Sequence, residues 1–278
     1  MGAFDALATA VSGLQAQSFA LQNISGNIAN AQTTGFKAIN TNFQDLLSAD
    51  PPILQSPSGV EALSAPTNTV QGSIQTASQG TFMAIDGDGY FAVEQPSGTD
   101  SSGQPVFAGN SLVYTRRGDF QMNGNGFLVN GAGYYLMGSP IDQSTGTAGA
   151  PQVLQFDDAS LPTDQGTLQS LSIGSNGRLQ GSFSSGKTLD LAAIPLSAFN
   201  GDNFLQRGDG ETFTPTLTSG AAQANASGRL VGNALEASNT DVAGQFTTMI
   251  MTQQAYSANT KVVTTTDQML QTVTNMTV

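Results

Sequence analysis

Residues 4–31 read FDALATAVSGLQAQSFALQNISGNIANA. The stretch has no proline. Phe4, Leu7, Val11, Leu14, Leu21 and Ile28 recur on alternating three- and four-residue steps, with Ser18 and Ser25 at the intervening positions. This is an a/d heptad seam, narrower than the broad apolar face of an ordinary surface helix. At 1.5 Å per residue it predicts a rod about 40 Å long. A seam of that length needs a second long helix, and the segment with a matching period lies at the other end of the chain, from Asp241 to Thr274. There Val242, Met249, Tyr256, Val263 and Leu270 stand at every seventh position, and Phe246, Gln253, Thr260, Asp267 and Thr274 form the alternate row. One row is apolar and the other mostly polar, which lowers stability and restricts partner and register. Two readings stay open on this pattern. One is a weak two-helix hairpin on a globular domain; the other is a pair of helices made to pack in a larger assembly, where several weak seams add up.

Composition narrows the function classes. The chain has 278 residues, enough for one large or two small domains. Only 10% are charged, against about 25% in typical globular proteins. Eight Lys and Arg stand against twenty Asp and Glu, a net charge of -12. A nucleic-acid or anionic-membrane partner calls for a basic face, so neither is expected. Cys, His and Trp are absent. That excludes disulfides, thiolate nucleophiles, imidazole bases and Cys/His zinc sites. No run of about 18 apolar residues is present, so no membrane insertion is expected. No basic residue precedes Lys37 and no continuous apolar core follows the start, so no cleaved secretory signal is expected.

Along the chain, the first helix is expected to end near Asn30. Asn23, Asn27 and Asn30 sit off the seam, either as solvated surface or as a second, directional contact face. Phe36–Leu47 reads as a short strand or helix. Residues 48–79, with Pro51, Pro52, Pro57 and Pro66, read as an extended connection, long for a simple loop. From Gly80 onward, short alternating strands are punctuated by glycine turns. Asp86-Gly87-Asp88-Gly89 reads as a hairpin turn between strands at Phe82–Ala84 and Tyr90–Val93. Asn123-Gly124-Asn125-Gly126 turns between Val113–Phe120 and Phe127–Leu136, and Leu168–Leu196 supplies further strands with turns at residues 175–177 and 184–186. The expected class is therefore α+β, with long N- and C-terminal helices paired as a coiled-coil-like stalk and a mainly antiparallel β body between them. Residues 1–47 and 232–278 form the helical assembly domain, 48–79 the connection, and 80–231 the outer β-rich domain.

Three strings carry catalytic-looking patterns. Gly181-Ser182-Phe183-Ser184-Ser185-Gly186-Lys187-Thr188 matches a phosphate-binding loop letter for letter. That loop works only between a buried strand and a helix N-terminus. Here Leu189, Leu191 and Ala193 alternate as a strand and Pro195 blocks a long helix, so a hairpin turn is expected. Ser184 and Lys187 have the spacing of some acyl enzymes, without the accompanying elements. Asp86-Gly87-Asp88 begins like a calcium loop, but Tyr90 takes the next ligand position. No catalytic, cofactor or metal residue is assigned, and the chain is not read as an enzyme; a nucleotide hydrolase centred on Lys187 is the rival class.

Asn27-Ile28-Ala29-Asn30-Ala31-Gln32-Thr33-Thr34-Gly35-Phe36-Lys37 resembles the N-terminal signature of bacterial flagellar axial proteins, the rod and hook subunits. Glu236-Ala237-Ser238-Asn239-Thr240-Asp241-Val242, with Gln253-Gln254-Ala255-Tyr256 and Thr264 to Leu270, resembles their C-terminal signature. Ala84-Ile85 with Gly89-Tyr90-Phe91, and Tyr114-Thr115-Arg116-Arg117-Gly118-Asp119-Phe120, are similar to interior segments of the same family. The hook protein is the most similar in pattern, through Ile194 to Phe199 and Asn233 to Asn239. In length the chain is closer to the distal-rod subunit, because the outer domain inserted in hook subunits is nearly absent between Gly138 and Leu168. The resemblance implies a structural subunit exported through the flagellar type III apparatus and stacked helically with its own copies into a hollow tube, the hook or the distal rod. It further implies partners among flagellar rod, hook-cap and hook–filament junction proteins, a place in the flagellum outside the inner membrane, and no cofactor. The residues expected to carry assembly are Leu7, Val11, Leu14, Asn27, Asn30, Phe246, Met249, Tyr256, Val263 and Leu270.

Overall fold

The computed structural model describes residues 3–47, 57–100, 103–109, 111–143, 145–156, 166–174, 176–224 and 226–276. They divide into two units. One comprises Met1–Ala31, Lys37–Thr67 and Thr240–Val278; the other comprises Gln32–Phe36 and Asn68–Asn239.

The first unit holds four elements: α1 (Ala3–Ala29), β1 (Ile39–Leu47), β2 (Pro57–Pro66) and α2 (Val242–Met276). Asp241 caps α2, its carboxylate accepting the Ala243 N–H at 3.1 Å, as short acidic side chains do at a helix start. β1 and β2 pair antiparallel, from Ile39 opposite Pro66 to Leu46 opposite Gly59. Residues 36–47, readable as helix or strand, thus contain a strand. Its mate comes from the stretch expected to be an extended connection; residues 48–56 of that stretch lie outside the described residues. A two-stranded ribbon is marginal alone, and this one is laid along α1. The Val60 N–H donates to Ser12 Oγ at 3.2 Å, and Asn23 Nδ2 donates to Thr41 Oγ1 at 2.9 Å. Gly59, at φ +152°, passes so close that an added Cβ would stand 2.8 Å from Ser12 Oγ.

The second unit is built on an antiparallel sheet whose neighbours run Leu168–Ile173, Arg178–Phe183, Thr188–Ala193, Tyr135–Pro140, Tyr90–Glu94, Leu112–Thr115, Thr212–Thr214 and Gln206–Gly208. Met83, Ile85, Phe91, Phe120, Leu136 and Leu179 are fully buried in one cluster. Tyr90, Tyr114, Phe199 and Phe213 stack edge-to-face in another. With two long helices and a mainly antiparallel β body, the fold is α+β.

One turn differs from its expectation. Asp86-Gly87-Asp88-Gly89 does turn, but the strands on either side do not pair with each other. Met83–Asp86 pairs with Arg229–Gly232, whereas Tyr90–Glu94 belongs to the main sheet. Gly228 is why: its N–H donates to the Asp88 carbonyl at 2.9 Å, and its Cα is the nearest atom to where a Cβ on Gly87 would stand. A distant strand therefore enters where a hairpin mate was expected, a tertiary choice that local turn chemistry does not encode. The Asn123–Gly126 turn does join a hairpin, Gln121–Met122 with Leu128–Val129, and Asn123 Oδ1 accepts the N–H groups of Asn125 and Phe127.

Candidate assembly surface on the terminal helices

Within the first unit α1 and α2 run antiparallel in constant register. Asn27 Nδ2 donates to Gln245 Oε1 at 3.3 Å, and a Cβ on Gly13 would stand 2.7 Å from Asn259 Nδ2. Fourteen residues up one helix correspond to fourteen down the other. Both points lie on a line of mostly small residues, Ala10, Gly13, Ala16, Ala20, Ile24 and Asn27, which is the buried face of α1. The heptad residues Val11, Leu14, Leu21 and Ile28 each follow a member of that line by one position, about 100° around the helix. Phe4 and Val11 are exposed, at 70% and 40%, and Leu7 and Leu14 are half-buried. Leu21 and Ile28 are half-buried as well, so the apolar seam of α1 is only partly covered and is open at Phe4 and Val11.

On α2 the half-buried positions include Met249, Val263 and Leu270 from the expected apolar row, while Tyr256 is exposed. The alternate row facing inward is Gln245, Thr252, Asn259 and Thr266, one residue before the row that the heptad reading paired with it. An apolar row can be completed by neighbours at either i+3 or i+4, and the close approach of α1 at Gly13 to Asn259 goes with the i+3 set. Phe246 and the rest of its row are exposed, and so are Ile250, Met251, Met269 and Val273.

The asparagines have divided roles. Asn27, 2% exposed, brackets Ile39, its Oδ1 accepting that residue's N–H and its Nδ2 donating to that residue's carbonyl, both at 2.9 Å. It serves as a pin inside the chain, joining α1 to both β1 and α2. Asn30 Nδ2 donates to the Gly26 carbonyl of its own helix at 3.0 Å.

The chain is similar to known proteins along most of its length. Residues 7–37 match the family described as "Flagella basal body rod protein", residues 84–181 "Flagellar hook protein FlgE/F/G D1 domain", and residues 231–276 "Flagellar basal body rod FlgEFG protein C-terminal". The flagellar basal-body rod protein FlgG of Bacillus subtilis is 32% identical over 292 residues, covering 97% of this chain and 98% of that protein. The chain belongs to the flagellar rod and hook protein family. FlgG of Caulobacter vibrioides is 33% identical over 96% of this chain. The flagellar hook protein FlgE of Brucella abortus is 35% identical over 175 residues, 60% of this chain but 40% of that protein.

The family signatures in the second unit have structural reasons. Glu236, fully buried, accepts the Gly35 N–H on its carbonyl at 2.8 Å and the Gly72 N–H on its carboxylate at 2.9 Å. The same carboxylate pairs with Arg116 at 3.5 Å. The Arg116 guanidinium lies 5.1 Å over the Tyr90 ring. Burial, and next the nearby Asp202 carboxylate, push the Tyr90 phenol above its ordinary range. Arg117 grips Asp119 bidentately at 2.8 and 2.9 Å, which holds its guanidinium above the usual value. At Gly118 a Cβ would overlap the Met83 carbonyl. These residues form a polar centre that ties together the stretches around Gly35, Gly72, Arg116 and Glu236; the sequence offered no signal for the Glu236–Arg116 pair beyond its family resemblance.

The phosphate-loop string is a hairpin. Arg178–Phe183 and Thr188–Ala193 are antiparallel neighbours, Gly186 takes φ +81°, and the Phe183 N–H closes the turn on the Lys187 carbonyl at 3.0 Å. No helix follows to aim amides at a phosphate. Ser184 Oγ accepts the Thr167 N–H, and Asp86 is paired with Arg229 at 2.9 Å.

Proposed function

We propose that this chain is a rod-type subunit of the flagellar axis, whose copies stack helically into a hollow tube through the α1/α2 unit. The observation that carries this reading is the uncovered apolar surface of the terminal helices. Phe4, Val11, Phe246, Ile250, Met269 and Val273 face solvent in the single chain, more apolar surface than a solvated helix pair has use for. In this reading Leu7, Val11, Leu14, Phe246, Met249, Tyr256, Val263 and Leu270 are closed by the helices of other copies in coiled-coil-like seams. Asn27 and Asn30 act from within, holding the helix ends and the ribbon in place. The helices line the tube, and the subunit reaches its place outside the inner membrane through the flagellar type III apparatus. Its neighbours are other rod proteins, the hook-cap and hook–filament junction proteins.

The rod is favoured over the hook because the match to FlgG proteins runs the length of both chains, whereas the hook proteins extend far beyond the matched part. The hook is the second reading, supported by the 35% identity of the shared 175 residues. Electron microscopy of tubes assembled from the purified chain tests both. Straight tubes support the rod, curved tubes the hook, and failure to form tubes under any condition refutes the stacking itself. A nucleotide hydrolase has no support in the geometry around Lys187.

A further inference from the structure

α2 reads as half polar because threonine is so frequent in it, yet its threonine hydroxyls are turned inward. Thr247 and Thr248 donate to the carbonyls of Ala243 and Gly244 at 3.0 and 2.9 Å. Thr260 donates to Tyr256 at 3.0 Å, Thr265 to Lys261 at 2.9 Å, and Thr272 to Gln268 at 2.8 Å. Each bond reaches back one turn along the helix's own backbone. All five side chains are exposed. With the oxygen bonded to the backbone, what such a side chain offers outward is its γ-methyl group. A hydroxyl already bonded in this way can leave water without being orphaned, so burying it lacks the usual penalty for a polar group. These exposed threonines are thus physically apolar, and exposed Phe246, Ile250, Met251, Val262, Met269 and Val273 stand among them along the helix. Between Val242 and Met276 only Lys261 and Asp267 are charged.

We infer that the exposed threonines of α2 are apolar contacts, buried through their methyl groups against the terminal helices of a second copy of this chain. The inference rests on the stacking reading above and deepens it. A second copy is the occupant the charges favour. The chain carries net charge -12, so copies repel over most of their surface and approach at least cost where both faces are nearly uncharged. α2 has one cation and one anion along its length, and a strongly charged partner would find nothing on it to pair with.

Isosteric exchange separates methyl from hydroxyl. In the full chain, Thr260, Thr265 and Thr272 are replaced together by Val, which keeps the methyl, or by Ser, which keeps the hydroxyl. Thr, Val and Ser have similar helix propensity, and circular dichroism of the unassembled subunit checks that both variants fold alike. The critical concentration for tube formation is read by sedimentation. The Ser triple is expected to raise it roughly fourfold per lost methyl, from the transfer value of one buried methylene-sized group, and so by some tens of fold in all. The Val triple is expected to assemble at or below the unaltered critical concentration. A Val triple as impaired as the Ser triple, or a Ser triple indistinguishable from the unaltered chain, overturns the inference while leaving stacking intact. Where a triple lowers the yield of folded subunit, the single pair Thr265→Val and Thr265→Ser reads the same sign. Failure of the unaltered chain to form tubes overturns the stacking reading instead.

Discussion

Replacing Glu236 by Gln tests the polar centre of the β unit directly. Glu236 and Arg116 are 0% and 3% exposed, so solvent does not screen the loss. Glutamine keeps an oxygen for the Gly72 N–H but removes the charge facing Arg116, leaving the buried guanidinium with the Asp202 carboxylate as its remaining nearby anion. Breaking a buried pair from one side costs about 3–5 kcal/mol. The 3.5 Å separation is long for a charge-assisted bond, which argues for the lower half, about 3–4 kcal/mol. A unit of this size loses about 2–4 °C of Tm per kcal/mol, so a drop of about 6–16 °C is expected. The double variant Arg116→Met with Glu236→Gln removes both charges and retains the acceptor for Gly72. It should recover most of the loss, short of about 0.5–2 kcal/mol for the cation–π contact with Tyr90. Differential scanning calorimetry of the unassembled subunit measures both. A single variant that melts within about 3 °C of the unaltered chain, under the same scaling, or a double variant as unstable as the single, would refute the assignment of this buried pair as a stabilising contact of the β unit.

Val263→Asp should leave the β unit folded by circular dichroism but stop tube growth, since a buried aliphatic side chain is worth roughly 1.5–3 kcal/mol per copy and the charge is buried besides; normal tubes, or a melted β unit, would count against the division of labour between the units. Asn27→Ala should cost about 1–2 kcal/mol by removing the side-chain partners of the partly buried Ile39 N–H and carbonyl, and hydrogen exchange should show the loss concentrated in the β1–β2 ribbon. Lys187→Ala, in a hairpin turn, should leave tube formation and motility unchanged, and Mg²⁺-dependent ATP binding abolished by this substitution would refute the hairpin reading. Burial raises the Asp202 carboxyl, an effect that Arg116 only partly offsets. With the folded value above the unfolded one, the native state binds the proton more readily, so this contribution to stability is present below the unfolded carboxylate value and lost as pH rises through the folded one. The Tm of Asp202→Asn relative to the unaltered chain should therefore climb from acidic to neutral pH, and a flat difference would contradict it.

The sequence alone determined the presence and extent of the two terminal helices, because an uninterrupted heptad of apolar residues without proline admits little else. It also determined the strand-and-glycine-turn rhythm of the middle, including the hairpin at Lys187, since two-residue alternation and positive-φ glycines are local properties. The family could be read from Asn27–Lys37 and Glu236–Val242 for the same reason: both are contiguous strings. What the sequence could not decide is which face each helix turns inward. Periodicity locates a stripe but not its partner, and the buried line of α1 proved to be small residues one position before the heptad row. Gly13 and Asn27 show why, since the first permits close approach to Asn259 and the second has hydrogen bonds to satisfy on two elements at once. The same limit applies to Asp86–Gly89, where a strand from residues 229–232 takes the place of a local hairpin mate. It applies most strongly to the threonines of α2. Their composition is polar, but whether a hydroxyl faces water or its own backbone is a rotamer, and only the folded helix sets it.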